Sequence, residues 1–283
     1  MSTLEHGKTI VLSPLVRRIT APNPGIMTGP GTNTYLVGGD QWAVIDPGPN
    51  LESHVAAILE AAAAAHASIR WILCTHTHLD HSPAAGALRD ATGALVLGMP
   101  PLAAQGQDPG FAPDQAWQEG DYLREADFTL RAVHTPGHAG NHLCFHLEQE
   151  QLLFTGDHIM EGSTVVIAPP DGDMQAYLSS LRRLQTLPIR RLAPAHGNLM
   201  EQPQDIIEGL IQHRLLREQK VLSSLAQAGP CDLAALTAQV YDDVPSFLHP
   251  VARHSLLAHL LKLDADGLVR QQNGVWSTSP QRH

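Results

Sequence analysis

The densest cluster of chemically active side chains lies in residues 72–82, where three histidines and one aspartate fall within six positions. They are His76, His78, Asp80 and His81. An apolar run from Trp71 to Cys74 precedes them and predicts a buried strand. Two histidines two residues apart on an extended chain face the same side. The pattern therefore places two imidazoles on one metal ion.

The other two ligands are aimed differently. Ala84, Ala85, Ala87 and Leu88 predict a helix directly after the cluster, so Asp80 and His81 fall where the chain turns. Dinuclear hydrolases hold their ions about 3.5–4 Å apart, and one strand-turn-helix corner can supply ligands to both. The alternative is a group of ordinary polar loop residues beside a strand. The density of ligands and their downstream partners favour a metal site.

The spacing resembles the metallo-β-lactamase superfamily, whose signature is His-x-His-x-Asp-His. The later motifs of that family follow in order, as Thr-Pro-Gly-His at His138, Thr-Gly-Asp at Asp157 and Pro-Ala-His-Gly at His196. The resemblance implies three ligands for one ion, three for the other and one bridge. These are, in that order, His76, His78 and His138; Asp80, His81 and His196; and Asp157.

The resemblance also implies roles for individual carboxylates. Asp80 and Asp157 are the expected catalytic carboxylates, and Asp46 is expected to support the metal site by orienting a ligand histidine. The alternative for Asp46 is a turn former, because Asp-Pro-Gly-Pro follows a strand pattern. His142 also has two interpretations: a strand residue that faces solvent, which we favour, or a contact of the cleft.

Two cations that share a water make hydroxide available near neutral pH and polarise the scissile bond, so the expected reaction is hydrolysis. Imidazole and carboxylate ligands suit two Zn²⁺ ions, although Fe or Mn also accept them. A serine nucleophile is disfavoured because the chain has no Gly-x-Ser-x-Gly elbow. A purely structural metal site is a further alternative, but such sites normally favour cysteine.

The order of predicted elements indicates an α/β (α+β) fold. Strands and helices alternate in two halves, which the resemblance assembles into a four-layer αββα sandwich. We predict a catalytic domain at 1–203 and a helical domain at 204–283. The long connection from Met99 to Trp117 is expected to wall the substrate cleft.

The predicted C-terminal helices and hairpin resemble a winged helix. From Cys231 onward the chain has four Lys/Arg and five Asp, so we prefer a structural appendage to a nucleic-acid module. Arg214, Arg217 and Lys220 lie on a long predicted helix that is comparable to the glutathione-contacting region of glyoxalase II. They are either a solvated face or contacts to an anionic substrate.

Within the superfamily, the β-lactamase-like protein 2 group is the most similar, because Gly31-Thr-Asn-Thr-Tyr-Leu-Val-Gly38 matches its N-terminal motif. That group includes polyketide thioesterases and a single-strand endoribonuclease. We expect a thioester or activated ester of a small acyl group, with RNA as the alternative substrate. The chain departs from the group at Ser82-Pro83-Ala84, where Ser-Gly-Gly is usual, which indicates a different cleft edge.

Charge and targeting signals set the remaining bounds. The 283 residues carry a net charge of −10, which disfavours attraction to nucleic acid. Three distant cysteines imply no disulfide framework. The N-terminus lacks a leader pattern and no run is long enough for a membrane span, so we expect a cytoplasmic enzyme with a small-molecule substrate and no membrane partner.

Overall fold

The computed structural model describes residues 4–101 and 106–280. The chain separates into two compact units. Unit 1 comprises residues 1–136, 140–165 and 187–203, and unit 2 comprises 137–139, 166–186 and 204–283. Unit 2 therefore holds the predicted C-terminal segment together with two pieces of the preceding chain.

Unit 1 contains two sheets. The first has seven strands in chain order, antiparallel from β1 to β4 and parallel from β4 to β7. Its strands are β1 Ile10–Val11, β2 Val16–Thr20, β3 Asn33–Val37, β4 Gln41–Ile45, β5 Ser68–Leu73, β6 Leu95–Gly98 and β7 Gln115–Ala116. Two helices are interspersed with these strands, α1 Glu52–Ala64 and α2 Ala84–Thr92.

The second sheet has six strands and follows the first in the chain. Its strands are β8 Tyr122–Arg124, β9 Thr129–His134, β10 Leu143–Leu147, β11 Leu152–Gly156, β12 Arg191–Pro194 and β13 Met200–Glu201. Only β11 and β12 pair in parallel; the other neighbours are antiparallel. The predicted hairpin around residues 148–151 joins β10 to β11.

The period-two pattern of the strands explains how unit 1 is layered. Tyr35 and Val37 of β3 face the second sheet and join a core that includes Phe154, whose ring centroid lies 5.0 Å from that of Tyr35. Leu36, between them in sequence, faces the opposite way into the core formed with α1 and α2. The first sheet is therefore buried on both faces, which fits its apolar parallel strands.

Unit 2 contains four helices of two or more turns and a small sheet. They are α3 Met174–Leu184, α4 Pro203–Ala228, which begins at the last residue of unit 1, β14 Cys231–Asp232, α5 Leu233–Val240, α6 His249–Ala265, β15 Val269–Gln272 and β16 Val275–Thr278. The strand order is β14-β16-β15. Trp276, Leu256 and Leu236 belong to one buried cluster with the end of α4, which gives this segment a core of its own.

Cys74 and Cys144 are buried, and none of Cys74, Cys144 and Cys231 forms a disulfide bond. Across residues 4–101 and 106–280, no helix is long and apolar enough to cross a membrane.

His54 on α1 is a buried imidazole that provides a test of unit 1. Its Nε2 lies 2.8 Å from Thr34 Oγ1, and burial lowers its pKa from 6.5 to about 4. The unfolded chain therefore binds more protons between these two values, so stability falls as the pH drops through this window.

The free energy of unfolding of the metal-free protein falls between pH 7 and pH 5. We expect this fall to be about 2 kcal/mol smaller in His54→Gln than in wild type. Chemical unfolding at both pH values measures the difference, and the exposed His66→Gln is the control. Equal losses in wild type and His54→Gln would show that His54 is not a source of acid sensitivity.

Candidate metal centre

The predicted corner lies between β5 and α2, at the carboxyl end of the parallel strands. His76 and His81 are buried, whereas His78 and Asp80 are partly exposed. Strand β5 ends at Leu73, and the residues from Cys74 to Pro83 form the loop that follows it, in which His78 makes an isolated β-bridge with Gln107. The two imidazoles converge, with His76 Nε2 3.0 Å from His78 Nδ1.

Four ligand atoms of unit 1 face one another. His81 Nε2 lies 3.3 Å from Asp80 Oδ2 and 3.5 Å from Asp157 Oδ1. His196 Nε2 lies 3.3 Å and 3.2 Å from the same two oxygens. A tetrahedral Zn²⁺ with ligands at about 2.0–2.1 Å requires ligand separations of about 3.3–3.4 Å. The donor set therefore has the spacing that such a cation needs.

Asp157 is shared with a second group of ligands. Within unit 1, His76, His81 and Asp157 offer ligand atoms that all lie within 4.8 Å of one another, as do Asp80, His81 and His196. Asp157 follows β11 at Gly156, where φ of +49° and the closeness of Thr75 and His142 leave no room for a side chain. The carboxylate thus lies close both to His76 and to the group formed by Asp80, His81 and His196.

His138 belongs to unit 2, on a three-residue segment that leaves unit 1 at Pro136 and returns to it at Gly140. Gly137 has φ of +150°, and a Cβ there would lie 2.5 Å from Tyr177 Cα. His138 Nδ1 donates to Val166 O at 2.7 Å. This bond fixes the orientation of the ring and leaves Nε2 as the nitrogen that can bind a metal. The role of His138 as a ligand stays a prediction.

Asp46 holds the metal corner from outside. Its Oδ1 accepts a hydrogen bond from Thr75 N at 2.7 Å, and its Oδ2 accepts one from Thr75 Oγ1 at 2.8 Å. Oδ2 also lies 3.0 Å from His81 Nδ1, which therefore donates to it. This bond turns His81 Nε2 towards Asp80 and Asp157, in the manner of carboxylates behind metal-bound histidines. The residue does more than form a turn.

The charges of the buried groups compensate one another. Burial opposes ionisation, but His81 and His196 outweigh it and hold the pKa of Asp80 well below its usual range; the pKa of Asp157 is lowered in the same way. Burial likewise disfavours the charged form of His196, yet Asp157 raises its pKa to about 10. Burial and the neighbouring His81 depress the pKa of His76. A cation bound at these atoms would displace the protons held by His81 and His196.

The favoured interpretation of His142 is wrong, because its side chain is fully buried. Its Nδ1 lies 2.8 Å from Thr135 Oγ1, and its Nε2 accepts a hydrogen bond from Asp157 N at 3.2 Å. Its ring centroid is 5.1 Å from that of His76. His142 is the last residue before β10, at the end of the connection from β9, so strand alternation does not decide its direction.

The long connection also reaches the metal loop. Asp108 N donates to Thr77 O at 2.6 Å, and Asp108 Oδ2 accepts from Ser82 Oγ at 2.8 Å. Residues 102–105 of the connection lie outside the described residues. Asp108 was not singled out by its spacing, because one aspartate in an irregular segment gives no pattern.

The proposed substrate residues lie on α4 and have partners within unit 2. Arg217 forms two hydrogen bonds of 2.8 Å with Asp243, and Lys220 pairs with Asp242. Arg214 is buried, with its guanidinium carbon 5.3 Å from the centre of the Tyr177 ring. A role of these three residues in substrate binding stays a prediction.

The chain matches known protein families over both of its predicted parts. Residues 27–196, which include all seven predicted ligands, match the metallo-beta-lactamase superfamily. Residues 233–276 match the beta-lactamase associated winged helix domain. The predicted fold class is confirmed by these matches.

Individual proteins show the same similarity. A beta-lactamase-like protein 2 homolog of Caenorhabditis elegans is 31% identical over 276 residues, 95% of this chain and 91% of the relative. An atrochrysone carboxyl ACP thioesterase of Aspergillus fumigatus is 34% identical over 219 residues, 76% of this chain and 66% of the relative. A crystal structure of a metallo-beta-lactamase family protein from Thermus thermophilus has a TM-score of 0.80 at 23% identity, covers 95% of this chain and 100% of its own, and so shares the fold.

We expect Asp46→Asn to weaken Zn²⁺ binding about 10–100-fold. An amide nitrogen in place of Oδ2 would meet the Nδ1 proton of His81, and relief of that clash moves the proton to Nε2, which must bind metal. Titration of the metal-free protein against a chromophoric chelator measures the loss. The exposed Asp90→Asn on α2 is the control, and unchanged affinity in Asp46→Asn would refute the orienting role.

Proposed function

Because the chain belongs to the metallo-β-lactamase superfamily, we propose that it is a dinuclear metal-dependent hydrolase that acts on a thioester or activated ester of a small acyl group. The observation that carries this proposal is the set of donor atoms at 3.2–3.5 Å around Asp80, His81, His196 and Asp157. Its separations match those around one tetrahedral cation.

Two cations are supported by the number and the grouping of the ligands. One ion of this kind takes about four protein ligands, whereas the sequence offers seven. Asp80, His81 and His196 form one group, and Asp157 connects it with His76. In this proposal His78 and His138 complete the position at His76. Zn²⁺ suits imidazole and carboxylate donors, and Fe or Mn are compatible alternatives.

When bound, two cations lower the pKa of a water they share and polarise the scissile carbonyl. The residues of the chain orient this chemistry. Asp46 and Gly31 O accept the Nδ1 protons of His81 and His196, which directs both Nε2 atoms to the centre. His142 Nε2 accepts a hydrogen bond from the backbone N–H of Asp157 and so helps to position that residue. These contacts orient His81, His196 and Asp157 before substrate arrives.

The substrate class is supported by exposed apolar side chains on two segments, the loop that carries His78 and Asp80 and the segment before Gly31. Leu79, within the metal loop, is 60% exposed, and Ile26 and Met27 on the segment before Gly31 are 77% and 54% exposed. Such side chains suit an apolar acyl group more than a phosphate backbone. The similarity to a protein named as an acyl-carrier thioesterase supports the same class.

The charge of the chain weighs against RNA. Nucleic-acid affinity draws heavily on Lys and Arg that displace counterions. The net charge is −10, and the cations of Arg217 and Lys220 are already paired with Asp243 and Asp242. Single-strand RNA cleavage remains the alternative because the similarity to the beta-lactamase-like protein 2 homolog spans 95% of the chain.

We expect two metal ions per chain after reconstitution, because the ligands divide into two groups. Elemental analysis of wild type gives the number. Asp80→Ala and His196→Ala should each reduce it towards one, since both residues belong to the same position. A wild-type value of one that neither substitution changes would contradict the dinuclear proposal.

The substrate proposal is tested with a panel of acyl thioesters, esters, β-lactams, phosphodiesters and single-stranded RNA. We expect thioesters to be cleaved fastest, and Asp157→Asn to lower kcat by about 10²-fold or more while the protein remains folded, because the bridging carboxylate is lost. Efficient RNA cleavage that falls steeply with salt, without thioesterase activity, would support the ribonuclease instead.

A further inference from the structure

The motif Gly31-Thr32-Asn33-Thr34 is buried at the start of β3 and contains no predicted metal ligand. Thr32, Asn33 and Thr34 are each 0% exposed. Three buried polar side chains in succession need hydrogen-bond partners, and here these partners include Asp80 and the backbone on either side of His196.

Thr32 holds Asp80. Its Oγ1 lies 3.2 Å from Asp80 Oδ2, the same oxygen that faces His81 and His196. The direction of this bond follows from Asn23, whose Oδ1 accepts from Thr32 N at 2.9 Å and whose Nδ2 donates to Thr32 Oγ1 at 3.0 Å. The hydroxyl proton of Thr32 is thus left for Asp80, and the carboxylate is held in one orientation.

Asn33 and Gly31 hold His196. Asn33 Nδ2 donates to Pro194 O at 3.0 Å and to Gly197 O at 2.8 Å, and its backbone N donates to Ala195 O at 2.7 Å. These bonds bracket His196 on both sides. Gly31 O accepts the Nδ1 proton of His196 at 3.2 Å.

Gly31 cannot be replaced without moving this carbonyl. Its φ is +128°, and a Cβ would lie 2.2 Å from Ala21 O. The motif therefore depends on glycine at its first position because the backbone passes directly against the residue that follows β2.

The contacts are unequal between the two groups of ligands. Within residues 4–101 and 106–280, the side chains of Thr32 and Asn33 make no hydrogen bond to His76 or His78. Thr34 differs, because its Oγ1 donates to Asp46 O at 2.6 Å, and Asp46 contacts both His81 and Thr75. Of the two groups of ligands, Gly31, Thr32 and Asn33 therefore contact only that of Asp80, His81 and His196 in the described part of the chain, whereas Thr34 does not distinguish between the two.

We propose that Gly31, Thr32 and Asn33 are positioning residues for the cation at Asp80, His81 and His196, and set its affinity separately from that of the cation at His76. This inference rests on the proposed dinuclear function. Asp80 and His196 come from distant segments of the chain. The physical basis of the inference is that residues 31–33 contact both segments and so hold the carboxylate and the imidazole at the separation that one ion requires.

Thr32→Val tests the proposal because it removes the hydroxyl and keeps the shape. We expect Zn²⁺ titration of the metal-free protein to show one ion bound about 10-fold or more weakly and the other unchanged. Dialysis against low free Zn²⁺ should then leave one ion per chain in Thr32→Val and two in wild type. Thr32→Ser retains an Oγ and should restore the second ion.

The control is Thr129→Val on β9, a buried threonine whose Oγ1 accepts a hydrogen bond from Gln149 and is not a partner of Asp80. It should lower stability without changing either affinity, and thermal unfolding of all metal-free variants confirms folding. Two tightly bound ions in Thr32→Val, or equal weakening of both ions, would overturn the inference alone. A single ion in wild type would overturn the dinuclear function with it.

Discussion

The packing of two carboxylates against two imidazoles is the constraint on which the centre depends. Asp80 Oδ2 and Asp157 Oδ1 both lie within 3.5 Å of His81 Nε2 and His196 Nε2; Asp157 and both imidazoles are buried, and Asp80 is partly exposed. Carboxylates are costly to bury unless positive charge balances them. Protonated imidazoles provide that charge in the metal-free protein, and divalent cations provide it in a loaded one.

The surrounding hydrogen bonds decide which nitrogen of each imidazole faces the metal site. Each imidazole has two nitrogens, and a ligand histidine must keep the proton on the nitrogen that faces away from the metal. Asp46 does this for His81 and Gly31 O for His196. One partner is a side chain and the other is a backbone carbonyl. Asp46 directly follows β4 and Gly31 lies just before β3, so the arrangement depends on residues that flank these strands as well as on the ligands.

The second unit has an electrostatic character of its own. Its helices carry Arg217, Lys220 and Lys262, but Asp243, Asp242 and Glu218 lie within 3.0 Å of them. Exposed pairs of this kind contribute little to stability, yet they cancel the cationic surface that nucleic-acid binding needs. A winged-helix fold therefore does not by itself imply a nucleic-acid partner in this chain.

The family, the fold class and the candidate ligands follow from the amino-acid sequence, because metal ligands occur in dense motifs that can be recognised from the order of residues alone. The C-terminal helices and their hairpin were likewise predicted, since local patterning specifies them. The directions of side chains in irregular segments depend instead on packing in three dimensions. His142, expected in solvent, is buried behind Asp157, and Arg217 is turned to Asp243. Thr32 and Asn33 acquire their contacts only when β3 is packed beside the loops that carry Asp80 and His196, which no local pattern encodes.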